Sequence, residues 1–199
     1  IVLVAGDTAN SDRGMPWLQE QAARLQVPLI TISGNHEYFD EDVLSFDQKL
    51  ATWDNYDAAS NKGVCVLQCQ HIDIGDIRIL GCTLWTDYQY HANEDTMAAA
   101  RHFMRDYKQI YAGKEMFSPE VSMQIHSEHR QWLQQALITA KALGKKTVVM
   151  SHHSVSALSV SEKYANLPSN AAFVSDLSGW MHEDWAPTLW VHGHTHEAF

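Results

Sequence analysis

Basic residues are scarce in this chain. Lys and Arg together number 14 against 24 Asp and Glu, a formal charge of −10 with His neutral. No basic stripe is available to track a phosphate backbone, which argues against an extended nucleic-acid groove. The same deficit leaves a phosphate substrate open, because bound cations can reverse the local field. No run of eighteen apolar residues occurs, so no membrane-spanning helix is expected. Cysteine is limited to Cys65, Cys69 and Cys82, an odd count without paired spacing, and no disulfide framework is expected. All three lie in apolar runs and read as small buried hydrophobes, which points to a reducing compartment, the cytoplasm. A signal-peptide pattern is missing too, although residues 1–5 already read as the inside of a fold. Internal repeats, low-complexity tracts and linkers are likewise missing, and 199 residues at 45% hydrophobic suit one domain over 1–199.

What is present is an alternation of apolar runs and helical spacing. Residues 1–5 (IVLVA) and 28–33 (PLITIS) are continuous apolar runs of the kind strands covered on both faces show. Between them, 17–25 carries apolar residues at helical spacing, so the chain opens strand–helix–strand, the start of an α/β fold. A helix is expected over 43–59. Strands are expected over 64–68 and 77–85, with a hairpin turn near Gly75-Asp76. Helices are expected over 96–112 and 119–143, the second with Ser118 as N-cap, Pro119 at its first position and Gly144 as its stop. Two further strands are expected over 147–150 and 188–191.

Each of four polar motifs follows an apolar run. Gly6-Asp7 follows IVLVA, GNHE at 34–37 follows PLITIS, SHH at 151–153 follows TVVM, and HGHTH at 192–196 follows TLWV. The polar residues therefore emerge at the carboxyl ends of strands, where α/β sheets form ligand sites. Asp7, Asn35, His152, His194 and His196 offer a carboxylate oxygen, an amide oxygen and three imidazoles. That mixed N/O set without thiolate suits Mn, Fe, Zn, Co or Ni. A carboxylate can bridge two ions, which makes Asp7 the natural shared ligand. His194 and His196, two apart, share one face of an extended segment, or diverge toward neighbouring ions in a turn. Singly, each motif has an ordinary structural explanation: a turn Asp, a packed His, a surface His cluster. Four of them in this order, all at strand ends, are hard to ascribe to core packing.

The order GD … GNHE … H … GHxH, from Gly6 to His196, resembles the calcineurin-like metallophosphoesterases of bacterial type. The resemblance implies a four-layer α/β/β/α sandwich and hydrolysis of phosphate mono- or diesters at a dinuclear metal centre. It implies that Asp7 bridges two divalent ions, Mn or Fe foremost, that Asn35, His152 and His194 hold the second, and that His196 holds the first. His36 becomes the acid beside the scissile phosphate, suited to that role by a free pKa near neutrality. Two cations about 3.5–4 Å apart clamp the phosphate and acidify an attacking water. His153 and His192 are expected to support ligands rather than to ligate. Asp87 is expected either to line the pocket or to cap a turn, and Arg13 either to touch phosphate or to stand exposed in a loop. Trp85, Tyr88, Tyr90 and His91 form an aromatic-rich loop that could wall a pocket for a nucleobase or aryl group.

The sequence departs from the family pattern at both ends. The family opens with Asp-x-His on a strand ahead of the GD motif, and this sequence starts after that point. Only Glu197, Ala198 and Phe199 follow HGHTH, where the family continues with more strands. The expectation is a domain without its first strand and its last strands, and a first metal left with Asp7 and His196 alone. Two rival functions fit these residues less well. Serine/threonine protein phosphatases carry GDxVDRG and an Arg before GNHE, whereas this chain has GDTANSDRG and Ser33 there. A non-catalytic scaffold, as in the retromer subunit that resembles this family, has no need of a proton donor such as His36 beside a metal. The expected partner is therefore a small-molecule or nucleotide phosphate ester, with no membrane involved.

Overall fold

The computed structural model describes residues 1–164 and 167–196. The residues that follow the last motif, 197–199, lie outside the described part, as does the question of further strands there.

Three parallel strands build one sheet: β1 (Val2–Val4), β2 (Pro28–Thr31) and β3 (Gly63–Val66), in that order. A second sheet has β4 (Gln70–Ile74), β5 (Ile77–Cys82), β8 (Lys146–Ser151) and β9 (Leu189–His192). There β4 and β5 form the expected antiparallel hairpin around Gly75, and β5, β8 and β9 run parallel. A short hairpin, β6 (Tyr111–Ala112) with β7 (Glu115–Met116), stands apart from both. The fold is thus mixed α/β with several sheets.

Alternation along the strands assigns each face. On β2 and β3, Leu29, Val64 and Val66 join a core with Met15, Leu18 and Ala22 of helix α1 (Met15–Leu25). Their neighbours Ile30, Ile32, Cys65 and Leu67 point the other way and pack with Ile79 and Met150 of the second sheet. On that sheet Leu80, Cys82 and Val149 turn outward onto Leu133 and Leu137 of helix α5 (Pro119–Ala142). Side chains two apart share a face and those one apart do not, which is why β2, β3 and β8 are covered on both faces and read as apolar runs, whereas edge strand β4 exposes Gln70, His71 and Asp73. Helix α5 starts as its sequence signals: Ser118 accepts from the Val121 N–H at 3.4 Å, with Pro119 next to it.

Two expected helices are cut short. The stretch 43–59 contains only α2 (Phe46–Ala51). Beyond it, Asp54 and Asp57 accept from the backbone N–H groups of Tyr56 and Ala59, and such Asx turns compete with the helix. The stretch 96–112 holds α3 (Thr96–Phe103) and the single turn α4 (Asp106–Gln109), because Met104 is extended, with ψ 134°. The chain breaks there to carry Asp106 into the interior. The strand expected over 77–85 ends at Cys82, where Leu84 and Trp85 take left-handed backbone conformations.

Candidate metal centre

All strands that carry a motif run parallel to their neighbours, so the motifs meet at one edge. Asp7 follows β1, Asn35 and His36 follow β2, His152 and His153 follow β8, and His194 and His196 follow β9. The turns there are strained. Asp7, His194 and His196 all hold positive φ, at 58°, 66° and 56°. Each such residue costs about 1–3 kcal/mol, and strain of this kind gathers at functional sites. The glycines make the approach feasible. A Cβ on Gly34 would lie 2.6 Å from the His152 ring and collide with the Asp7 carboxylate, and one on Gly6 would collide with the Gly34 backbone. No side chain fits at either position without moving a ligand loop.

His152 is the hub. Its Nδ1 sits 2.6 Å from the Ala5 carbonyl, so the proton stays on Nδ1 and Nε2 turns its lone pair inward. Around Nε2 stand Asn35 Oδ1 at 3.1 Å, His194 Nδ1 at 3.2 Å and Asp7 Oδ2 at 3.3 Å. Asn35 is itself aimed: its Nδ2 donates to Asp106 at 2.8 Å, which leaves Oδ1 facing the cluster. Burial pushes the Asp7 carboxyl up, but His152 and the His36 backbone N–H outweigh it and hold Asp7 at about 2. Burial also presses His152 toward neutrality, and the Asp7 carboxylate overcomes it, so His152 is raised. Burial, reinforced by the charges of His153 and His152, drives His194 well below its ordinary value. One carboxylate, one amide oxygen and two imidazole nitrogens thus converge on a small volume.

This donor set fits a divalent cation. Asp7, His152 and His194 each present a ligand atom within 4.8 Å of the others, the sole such group of three among the described residues. Four lone-pair donors this close repel one another unless a positive charge lies between them, and a proton and a cation compete for the same lone pair of His152.

The remaining expected residues divide. His36 stands on the rim, its N–H donating to Asp7 Oδ1 at 3.0 Å and its Nε2 4.0 Å from Asp7 Oδ2, with the ring against Phe39. His196 is exposed and lies outside the group of three, although it lines the same cleft of about 790 Å³ as Asp7, His152 and His194. His192 lines it too, with Nε2 2.8 Å from the Ser159 hydroxyl. His153 is buried beneath the site between Trp85 and His194, its Nδ1 3.3 Å from the Thr83 carbonyl, and burial pushes it well below the ordinary range. Asp87 caps a turn by accepting from the Gln89 N–H, and Arg13 is exposed. In the aromatic loop Trp85 and Tyr88 pack into the core, and Trp85 also lines a small cavity of about 180 Å³ beside Asp47 and His129 whose lining includes none of the ligands.

Two residues of consequence had no role assigned from sequence. Glu37, 5% exposed, accepts from the N–H groups of Asp7 at 2.8 Å, Thr8 at 2.7 Å and Gly34 at 2.8 Å, tying the two ligand loops together. Burial and the Asp7 charge raise its carboxyl. Its signal was the last letter of GNHE. Asp106, which orients Asn35, is pushed up to about 6 by burial, and nothing marked it within a segment that reads as helix.

Strand-end loops from two sheets thus present a nitrogen–oxygen donor set suited to a divalent cation. The family model described as calcineurin-like phosphoesterase matches residues 1–198, and the chain belongs to that family. No curated protein and no solved structure matches it. Membership carries divalent metal ions and phosphoester hydrolysis in general. No helix among the described residues is long and apolar enough to cross a membrane.

Proposed function

We propose that this chain hydrolyses phosphate mono- or diesters of small molecules or nucleotides at a dinuclear centre. The observation that carries the reading is the convergence of Asp7, Asn35, His152 and His194 on one point. Asn35, His152 and His194 would hold one cation, Asp7 would be shared with a second, and His196, on the cleft wall, would serve that second ion. Bound there, divalent ions, Mn or Fe in preference, supply Lewis acidity to the phosphoryl oxygens and to the attacking water. The chain's own residues do the rest. His36, on the rim with its Nε2 4.0 Å from Asp7 Oδ2, gives a proton to the leaving oxygen. Glu37 and Asp106 keep Asp7 and Asn35 in place. An apolar cavity of about 290 Å³ adjoins the cleft through His194 and His196, lined by Val174 and by Phe173, which stacks on His194. It suits an apolar leaving group such as a nucleobase.

The three stacked cores, α1 on the first sheet, sheet on sheet, and the second sheet on α5, support the four-layer α/β/β/α reading. Three free cysteines support a reducing compartment, the cytoplasm. The test is turnover of p-nitrophenyl phosphate and its bis-ester. Hydrolysis should vanish with a chelator and return with Mn. Chelator-insensitive turnover overturns the metal mechanism, and bound metal without turnover of any ester supports a scaffold instead.

A further inference from the structure

Away from the ligand loops, two cysteines lie at the open end of the β4–β5 hairpin. The ladder's outermost pair is Gln70 with Gly81, and Cys69 and Cys82 are the residues next to that pair, Cys69 turning in at φ 48° and packing against the cluster that buries Cys82. Cα atoms across an antiparallel pair lie about 4.5–5.5 Å apart, so residues next to the last pair lie near the range a disulfide spans. Both side chains belong to the same apolar cluster, with Leu80, Leu84 and Leu133 around Cys82 and Cys69 packed at its edge. They differ in access. Cys82 is wholly buried, while Cys69 is half-buried and lines a cleft of about 420 Å³ together with Asp47, Gln68 and His129.

His129, on α5 and 8% exposed, has its Nδ1 buried without a hydrogen-bond partner. Its imidazole is close enough to Cys69 to draw the thiol toward thiolate. Contact with the Cys82 thiol comes first among the causes and His129 adds to it. Against burial and the Asp47 charge, they bring Cys69 down to about 5. Cys65, by contrast, is pushed up to about 12 by burial and by Asp54. A metal site is not the better reading, since among the described residues no His/Cys/Asp/Glu group of three converges here.

We propose that Cys69 and Cys82 form an oxidation site, in which a hydroperoxide such as hydrogen peroxide converts the two thiols into a disulfide. Cys69 gives up its proton to His129, and the thiolate attacks peroxide. An S–O bond forms, the O–O bond breaks, and the departing hydroxide takes the proton from His129 to leave as water. The Cys82 sulfur then attacks the Cys69 sulfenic acid; the S–S bond forms, the S–O bond breaks, and a second water leaves. Two thiols are oxidised by two electrons and one peroxide is reduced, with nothing left over. The site bears on the metal centre through the next residue. The Thr83 carbonyl accepts from the backbone N–H groups of His152 and His153, each at 3.3 Å, and the Thr83 hydroxyl donates to the Ser33 carbonyl at 2.9 Å.

The test is peptide mapping of the purified protein after hydrogen peroxide in the presence of a chelator, with free thiols blocked by N-ethylmaleimide before trypsin. Cys65 and Cys69 share the tryptic peptide 63–78 and Cys82 lies on 79–101, so the experiment uses Cys65→Ser to make the link unambiguous. The expected product joins the two peptides and is undone by dithiothreitol. In the same background Cys82→Ser should stop at a Cys69 sulfenic acid that dimedone traps, and Cys69→Ser should leave Cys82 reduced. His129→Gln should slow Cys69 oxidation on the order of tenfold, because less of it is thiolate. Recovery of both peptides as maleimide adducts after excess peroxide overturns the proposal, as does oxidation of Cys82 while Cys69 stays reduced.

Discussion

Replacing Glu37 by Gln should loosen both ligand loops without touching a ligand. The carboxylate takes three backbone N–H groups: Asp7 and Gly34 on one oxygen and Thr8 on the other. A glutamine amide has one acceptor oxygen, so whichever way it turns, its NH₂ confronts at least one of those donors. One charge-assisted bond is lost, an N–H is left buried and unpaired, and the surviving bonds fall to neutral strength. Charge-assisted bonds contribute about 1.5–3 kcal/mol and an unsatisfied buried donor costs about 1–3 kcal/mol, which puts the total at roughly 2–5 kcal/mol. For a domain of this size each kcal/mol moves Tm by about 2–4 °C, so a drop on the order of 5–15 °C is expected. Differential scanning calorimetry of chelated protein reads that drop, and Mn titration should show weaker binding in the same variant. A Glu37→Gln protein with unchanged Tm and unchanged Mn affinity would refute the claim that Glu37 ties the loops.

Three further outcomes follow from the same contacts. His36→Ala should lower turnover by about 10²–10⁴ with metal content unchanged, the range for a positioned general acid; elemental analysis beside kinetics checks it, and metal lost in step with activity would reassign His36 as a ligand. Asp106→Ala should free the Asn35 amide to flip and weaken Mn binding by about 10–100-fold while leaving the fold intact by circular dichroism, whereas unchanged affinity would deny Asp106 its orienting part. Arg78 and Lys145 hold the Asp73 carboxyl at about 2, so its folded value lies below the unfolded one and its stabilisation is present above about pH 4 and lost as pH falls toward 2. Solvent screening limits that term to about 1 kcal/mol or less, so Asp73→Asn should lower Tm slightly at pH 6 and not at pH 2.

The parallel strands were legible because burial on both faces leaves an unbroken apolar run, as in IVLVA and TVVM, and the ligand motifs were legible because each begins where such a run stops. Helices α2, α3 and α4 were misjudged in extent for a local reason. Apolar residues at Val43, Phe46 and Leu50 do keep helical spacing, but spacing cannot see Asp54 and Asp57 capturing backbone N–H groups. Asp106 was invisible for a long-range reason: its partner is Asn35, 71 residues away. The burial of Trp85 and Tyr88 was similarly out of reach, since an aromatic run after a strand looks the same whether it packs inward or lines a cleft. Cys69 fell between the two cases, reading as a small buried hydrophobe where the end of the hairpin leaves it at a cleft, packed against the cluster that holds a second thiol.

The most direct test of the account is the number of Mn ions that a chelator-stripped chain takes up tightly, counted by electron paramagnetic resonance alongside ester hydrolysis. Asp7, Asn35, His152 and His194 converge, whereas His196 is exposed and stands outside their group. Three or four ligands hold a transition metal against water and two rarely do. The account therefore predicts one tight Mn, held by Asp7, Asn35, His152 and His194 and abolished together with any hydrolysis by His152→Ala, and a second, weaker one; His196→Ala should preserve the tight ion and lose the weaker. A tight ion that survives His152→Ala, or one that is lost with His196 alone, would contradict it.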